Sequence, residues 1–287
     1  MKTDFPTITI LGSGLLGGSL ALSLGTFENP PVIRLWTRKQ ETAAAAIELG
    51  ISNVTTDLAE AVRNADLLVL AVPVGSMAAL VTAALEAGLP DGCLITDVGS
   101  VKRVPHRHIA PLLQGRDIRF IGSHPMAGSE RNGLSAVTST LFKNAACLLT
   151  NDNGAPPEQT AALERFWKTI GCRTSWMSAA IHDELVARIS HLPHLIAASA
   201  ARVCLLDPGE GRFGGGGLRD TTRVAAGNPV MWAEIVTENR EALIGPLKET
   251  IADLHEILAS LESGNQEQAR QWLATAKQRR DPLNHPQ

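Results

Sequence analysis

The stretch "TITILGSGLLGGSLALSLG", residues 7–25, decides the fold. It opens with alternating β-branched residues, the composition of a buried strand. Glycines then break the pattern, and an apolar helical run follows. Gly12, Gly14 and Gly17 spell G-x-G-x-x-G in the context that gives this motif meaning, after a strand and opening a helix. Gly12 permits a tight turn, Gly14 lets the backbone approach a pyrophosphate, and Gly17 lets helix and strand pack closely. Leu15 and Leu16 begin the helix, whose unpaired N–H groups suit an anion. All five are read as dinucleotide-binding.

Outward from this unit the chain repeats its theme. "VIRLW" (32–36), "DLLVLAVP" (66–73), "CLITDVGS" (93–100) and "FIGSHP" (120–125) read as strands, and "ETAAAAIELG" (41–50) as a helix. The unbroken apolar run of 67–72 fits a parallel strand covered on both faces. Strands alternating with helices to about residue 150 imply a parallel α/β sheet. "NDNGAPPE" (151–158) is a surface loop, "TAALERFWKTIG" (160–171) a helix, and "RTSWM" (173–177) the last strand. After Ser178 no strand is legible. Residues 179–206 form a helix or helix pair interrupted near Pro193. Residues 230–261 form another, with Leu243, Leu247, Ile251, Leu254, Leu258 and Leu261 on one stripe. "NQEQARQWLATAKQ" (265–278) closes the helical part. The expected architecture is a Rossmann-type domain, residues 1–178, followed by an all-α domain, residues 179–287.

Composition narrows the function. The chain has 287 residues, 44% of them hydrophobic, and a net charge of −3, which leaves no basic footprint for nucleic acid or an anionic membrane. No apolar run reaches the length of a membrane span, and no signal peptide is visible. Cys93, Cys147, Cys172 and Cys204 show no C-x-x-C pairing and are expected as reduced core residues of a cytoplasmic protein. Tyrosine is absent.

The end of the second strand bears on the cofactor. Trp36 is followed by Thr37, Arg38 and Lys39, with no carboxylate before Glu41. A hydroxyl and two cations suit a 2′-phosphate, so NADP is expected, with NAD left open because Arg38 can also stack on adenine. Ligands gather beyond the carboxyl ends of parallel strands. One such end carries Val72 and Pro73, small apolar residues fit to lie beside a nicotinamide. The next carries Asp97, Gly99, Ser100 and Lys102, and the third Ser123 and His124. A hydroxyl and an imidazole from adjacent strand ends are suited to removing a proton as hydride leaves the same carbon. His106 and His108 are read as lying on a surface helix.

The blocks "DVGSVK" (97–102), "GSHPMAGSERNG" (122–133), "SHLPH" (190–194) and "GGGLRDTTRVAAGNPVMW" (215–232), in that order behind the glycine motif, resemble the prephenate and arogenate dehydrogenases of tyrosine biosynthesis. The resemblance covers nearly the whole chain. It implies oxidative decarboxylation: hydride leaves C4 of a cyclohexadienol, the hydroxyl proton is taken up, and carbon dioxide departs as the ring aromatises. By resemblance His124 is the catalytic histidine and Ser100 its supporting serine. Arg223 binds a substrate carboxylate, His191 and Trp232 line the pocket, and Glu130 lies at its edge. Arg219, one helical turn before Arg223, is a second candidate cation. His194 is assigned to helix packing. His191 and His194 lack a third ligand, so no metal is expected. Val230 stands where arogenate-specific relatives tend to carry an acid, which favours prephenate or both substrates; Glu130 and Asp220 remain alternative acids. The resemblance also implies a homodimer formed through the helical domain. A catalytically silent NADP-sensing module is the competing reading of the glycine turn and the stripe. It leaves the convergence of His124, Ser100 and Arg223 unexplained.

Overall fold

The computed structural model describes residues 3–128 and 133–284. Its first layer is an eight-stranded sheet: β1 (Thr7–Leu11), β2 (Val32–Trp36), β3 (Val54–Thr55), β4 (Leu67–Leu70), β5 (Leu94–Asp97), β6 (Arg119–Pro125), β7 (Ala146–Thr150) and β8 (Arg173–Trp176). The spatial order is β3-β2-β1-β4-β5-β6-β7-β8. Helices α1 (Leu15–Gly25), α2 (Gln40–Glu48), α3 (Leu58–Val62), α4 (Val74–Glu86), α5 (Arg103–Ile109) and α6 (Pro157–Ile170) accompany the strands. Residues of β4 explain the layering. Leu67 and Val69 join one apolar cluster with Leu20, Leu24, Phe166 and Trp167, while Leu68 and Leu70 join a second with Met77, Val81 and Phe120. Successive side chains of a strand point to opposite faces, so a fully apolar strand requires cover on both.

The sheet departs from the expected parallel pattern at one place. β7, which the sequence reading passed over, pairs antiparallel with β6. Between them the described chain holds only a single 3-10 turn, Leu134–Ala136, and a parallel return needs a longer crossover. β8 then resumes the parallel direction beside β7.

Two side-chain expectations are corrected here. Cys93, Cys147 and Cys172 are buried, but Cys204 is exposed, because it lies at the end of a helix on its outer side. His106 is not on the surface. It is 5% exposed and shares a 2.7 Å hydrogen bond with the Thr150 hydroxyl. The short helix α5 lies against β6, so its inner face must be buried while Arg107 and His108 take the outer one.

Beyond the sheet come α7 (Ala179–Val186), a π-turn (Ala187–His191), α8 (Leu192–Cys204), α9 (Gly216–Thr222) and α10 (Pro229–Glu238). Pro193 sits in the first turn of α8, where a missing N–H is harmless. The expected single helix of 230–261 is two. Asn239 ends α10, and α11 (Arg240–Glu262) and then α12 (Gln266–Arg280) follow. By compactness the chain divides into residues up to Arg240, and residues from Glu241 onward. In the second unit Leu243 is buried, whereas Ile251, Leu254, Leu258 and Leu261 are 48%, 53%, 48% and 68% exposed. No described helix is long and apolar enough to cross a membrane.

Candidate active site

β1 has β2 on one side and β4 on the other, so the chain reverses its winding there and opens a crevice beyond the strand ends. Gly12 sits in that crevice with φ +112°, and a Cβ on it would lie 2.2 Å from the Ala71 carbonyl oxygen. A Cβ on Gly17 would lie 1.9 Å from the Gly12 carbonyl oxygen. Both positions are closed by the protein itself. Gly14 is different: nothing lies within 4 Å of its absent Cβ. It opens α1, which has no side-chain cap and no acid in its first turn, so the N–H groups there stay available to an anion. A glycine cradle open toward the cleft, at an uncapped helix start, fits a dinucleotide pyrophosphate.

The cleft has a volume of about 570 Å³. Gly14, Leu15 and Leu16 line one side, and Val72 and Pro73 continue the wall. Ser100, His124, His191, Arg223 and Trp232 line the rest. The structure thus brings to one cavity the hydroxyl, both imidazoles, the guanidinium and the indole singled out in the sequence.

The ends of β5 and β6 are fixed by a buried ion pair. Lys102 and Asp97 are both fully buried, with Nζ 2.5 Å from Oδ2. Lys102 Nζ also donates to the carbonyls of Gly99 and Val101, at 2.8 and 3.1 Å. Asp97 accepts from the backbone N–H of Gly99 and, through Oδ1, of Ser123. The D-V-G-S-V-K segment is therefore a closed loop that presents Ser100 and ties it to the strand carrying His124. Lys102 and Asp97 themselves do not line the cleft. Ser123 turns inward, between Thr96 and the Trp167 N–H.

Behind His124 lies a second buried network. His124 Nδ1 is 2.9 Å from His182 Nε2, and His182 Nδ1 is 2.8 Å from Asp183 Oδ1. Asp183 also accepts from the backbone N–H of Lys102 and of Arg103, at 2.7 and 3.0 Å. Asn239 Nδ2 donates to the Asp183 carbonyl at 2.8 Å and lies 3.0 Å from His191 Nδ1. His191 Nε2 is buried and has no protein partner. Burial, reinforced by His182, Lys102 and His191, holds the His124 pKa well below the ordinary histidine value. Burial also lowers His182, against the pull of Asp183, and takes His191 down to about 4. Burial pushes the Asp183 carboxyl up, but the donors from His182, Arg103 and Lys102 outweigh it, so it is an ionised carboxylate.

His191 lies nine positions after His182, and on a regular α-helix that spacing leaves them on opposite sides, at about 100° per residue. The π-turn Ala187–His191 absorbs an extra residue and rotates His191 back toward the side of His182. His194 stacks on Trp232, with ring centroids 3.5 Å apart and planes 8° apart, and packs as expected.

Residues 23–176 match the family model for the prephenate dehydrogenase nucleotide-binding domain, and residues 178–275 match that for the prephenate dehydrogenase dimerization domain. The chain belongs to the prephenate dehydrogenase family. The cyclohexadienyl dehydrogenase of Zymomonas mobilis is 36% identical over 273 residues, 91% of this chain and 90% of that protein. The prephenate dehydrogenase of Bacillus subtilis is 33% identical over 284 residues, 96% and 76% of the two chains. Among solved structures, the Aquifex aeolicus prephenate dehydrogenase in complex with hydroxyphenyl propionate and NAD+ superposes with a TM-score of 0.88 at 26% identity, covering 99% of this chain and 100% of that one. The Synechocystis arogenate dehydrogenase superposes at 0.77 and 28% identity, covering 96% and 99%. This prephenate dehydrogenase family member is an NAD(P)-dependent oxidoreductase of the oxidative decarboxylation that serves tyrosine biosynthesis. The reading as a non-catalytic sensing module is set aside.

Within this family member, some sequence assignments find no place in the cleft. Arg219 is exposed and does not line it. Arg219 lies within α9 and Arg223 follows at its C-cap, where the 3-10 turn Arg223–Ala226 begins; of the two, only Arg223 lines the cleft. Val230 is 79% exposed and outside the cleft, so the substrate preference read from it has no support in this chain. Arg38 and Lys39 are exposed beyond β2, and Thr37 beside them is buried. Glu130 lies outside the described residues. Conversely, His182, Asp183, Asn239 and Glu234 were missed. Glu234 lines the cleft and accepts from the Gly75 N–H at 2.6 Å. The adjacent His182 and Asp183, an imidazole next to a carboxylate early in the helical part, were the legible signal.

Proposed function

We propose that this enzyme oxidatively decarboxylates prephenate, with NADP as the preferred hydride acceptor, and that His124 is its proton acceptor. With its pyrophosphate over the Gly12–Gly14–Gly17 turn and its nicotinamide beside Val72 and Pro73, a bound dinucleotide would supply the acceptor for the hydride leaving C4. His124 accepts a hydrogen bond from the C4 hydroxyl and takes up its proton as that hydride leaves. The carboxylate on the quaternary ring carbon departs as carbon dioxide, leaving its electron pair to complete the aromatic ring. Ser100 shares the hydroxyl, Arg223 binds a carboxylate bidentately, and His191 and Trp232 shape the pocket. One observation carries this reading: an imidazole kept neutral by burial faces the same cavity as the glycine turn and a guanidinium.

The test is NADP reduction followed by absorbance on adding prephenate. His124→Asn lowers kcat by about two to four powers of ten; near-normal turnover of that variant rejects the assignment. Arg38 and Lys39 support NADP through their exposed charges, and a lower KM for NAD than for NADP rejects that part.

Glu234 favours a second reading, that arogenate is used as well. Among the described residues it is the carboxylate that lines the cleft, and it suits the ammonium group of arogenate. Glu234→Gln then raises KM for arogenate and leaves prephenate unaffected. Residues 179–287 are the helical substrate-binding and dimerisation part of this reading, supported by the exposed stripe of α11 and the family match. Free, unbridged cysteines support a cytoplasmic location.

A further inference from the structure

We propose that His182, Asp183 and Asn239 are positioning residues that impose opposite ring tautomers on the two histidines of the cleft, making His124 a hydrogen-bond acceptor and His191 a donor. This rests on the reading of His124 as the proton acceptor.

The assignment follows from which atoms can donate. The Asp183 carboxylate only accepts, and it lies 2.8 Å from His182 Nδ1, so His182 carries its proton there. A neutral His182 then has a lone pair on Nε2, which lies 2.9 Å from His124 Nδ1. His124 must donate through Nδ1, and its other nitrogen, Nε2, is left with a lone pair for the cleft that His124 lines. The second branch starts from the same residue. The Asp183 main-chain carbonyl also only accepts, so the Asn239 atom 2.8 Å from it is the amide nitrogen. That nitrogen gives its remaining proton to His191 Nδ1 at 3.0 Å. His191 therefore carries its own proton on Nε2, the buried atom that has no protein partner.

Asp183 thus anchors both branches, one through its side chain and one through its backbone. It is itself clamped by the N–H groups of Lys102 and Arg103, on the loop that presents Ser100. When His124 takes up a proton, its Nδ1–H points at His182, whose far side faces the carboxylate. The charge formed at the cleft is stabilised through the chain without a proton leaving it. His191 Nε2–H meets an oxygen acceptor of the substrate. The two rings are exposed by only 7% and 1%, so solvent does not reset either tautomer.

The test reads ring nitrogens of the uniformly 15N-labelled, unliganded protein by long-range 15N–1H correlation. His124 and His182 are expected as Nδ1–H tautomers, and His191 as Nε2–H. His124 found as Nε2–H, or His191 as Nδ1–H, overturns the proposal without recourse to any variant. His182→Phe is then expected to release His124 from the Nδ1–H form. It lowers kcat about a hundredfold, with KM values changed less than about threefold. His182→Gln, whose amide oxygen can replace Nε2 as acceptor, recovers at least about tenfold of that loss. Equal losses in His182→Phe and His182→Gln overturn it, since that is what damage to packing alone produces. The tautomers are read without substrate. Tautomers as assigned but no prephenate turnover uphold this inference and remove the proposed substrate, while turnover with the opposite tautomers does the reverse.

Discussion

Replacing Lys102 with Met tests whether the buried ion pair builds the active-site loop. The methionine keeps most of the stem volume and removes every donor. Three acceptors lose their partner: Asp97 Oδ2, Gly99 O and Val101 O, now at 2.5, 2.8 and 3.1 Å from Nζ. Asp97 keeps the N–H groups of Gly99 and Ser123, but its charge is stranded at 0% exposure. Stranding one member of a buried pair costs about 3–5 kcal/mol. At about 2–4 °C per kcal/mol for a chain of this size, the melting temperature falls by about 6–20 °C. Far below melting, kcat/KM also falls, because Ser100 loses the loop that holds it. Calorimetry or guanidinium unfolding gives the first number and steady-state kinetics the second. Asp97→Asn combined with Lys102→Met removes the charge as well as its partner, so the double variant is more stable than Lys102→Met alone. A loss below about 1 kcal/mol in Lys102→Met, the range of exposed pairs, refutes the reasoning.

Other consequences can be checked as directly. His106, His124, His182 and His191 all have lowered pKa values in the fold, so the unfolded chain binds more protons below the ordinary histidine value. Stability is therefore complete above about pH 6.5 and is lost on acidification, by up to about 1.4 kcal/mol per pH unit for each histidine still neutral in the fold. The His191 contribution runs out near its value of about 4. A guanidinium midpoint equal at neutral pH and at about pH 5 contradicts this. Gly14→Ala leaves unfolding within about 0.5 kcal/mol of the wild type, since its Cβ meets nothing, yet weakens dinucleotide binding, read by fluorescence titration. Gly17→Ala destabilises the unliganded protein by about 1–3 kcal/mol or more, and equal stability of the two alanine variants contradicts the packing reading. Leu258→Glu, on the exposed stripe of α11, yields a monomer by light scattering where the parent is a dimer; a monomeric parent removes the dimer reading.

Most of the Rossmann half was legible because its signals are local. The glycines of 12–17 have steric tasks tied to neighbours in sequence, and β4 announces its two covered faces by being wholly apolar. His124, Ser100, Arg223, His191 and Trp232 were found through strand ends and motif blocks, and they do share one cavity. What was missed depends on distance in the chain. β7 (ACLLT) is as long as β1 and went unread, and its antiparallel direction depends on the missing crossover rather than on its own residues. His182 acquires meaning only when α7 lies against the end of β6, and Asn239 only when the end of α10 reaches Asp183. Arg219 failed for the opposite reason: its helical spacing from Arg223 is legible, but spacing alone does not say which of the two reaches the cleft, and only Arg223 lines it.

The π-turn between α7 and α8 gives the active site an unusual form of encoding. Where His191 faces depends on how many residues intervene after His182, rather than on what those residues are; Ile189 within the turn is itself 57% exposed. Deleting the extra residue lets the helix wind regularly with the imidazole still on that side, whereas adding a residue without widening another turn rotates it away by about 100°, although every pocket side chain is still present in the gene. In this segment the count of residues, and not their identity alone, therefore sets where a pocket side chain faces.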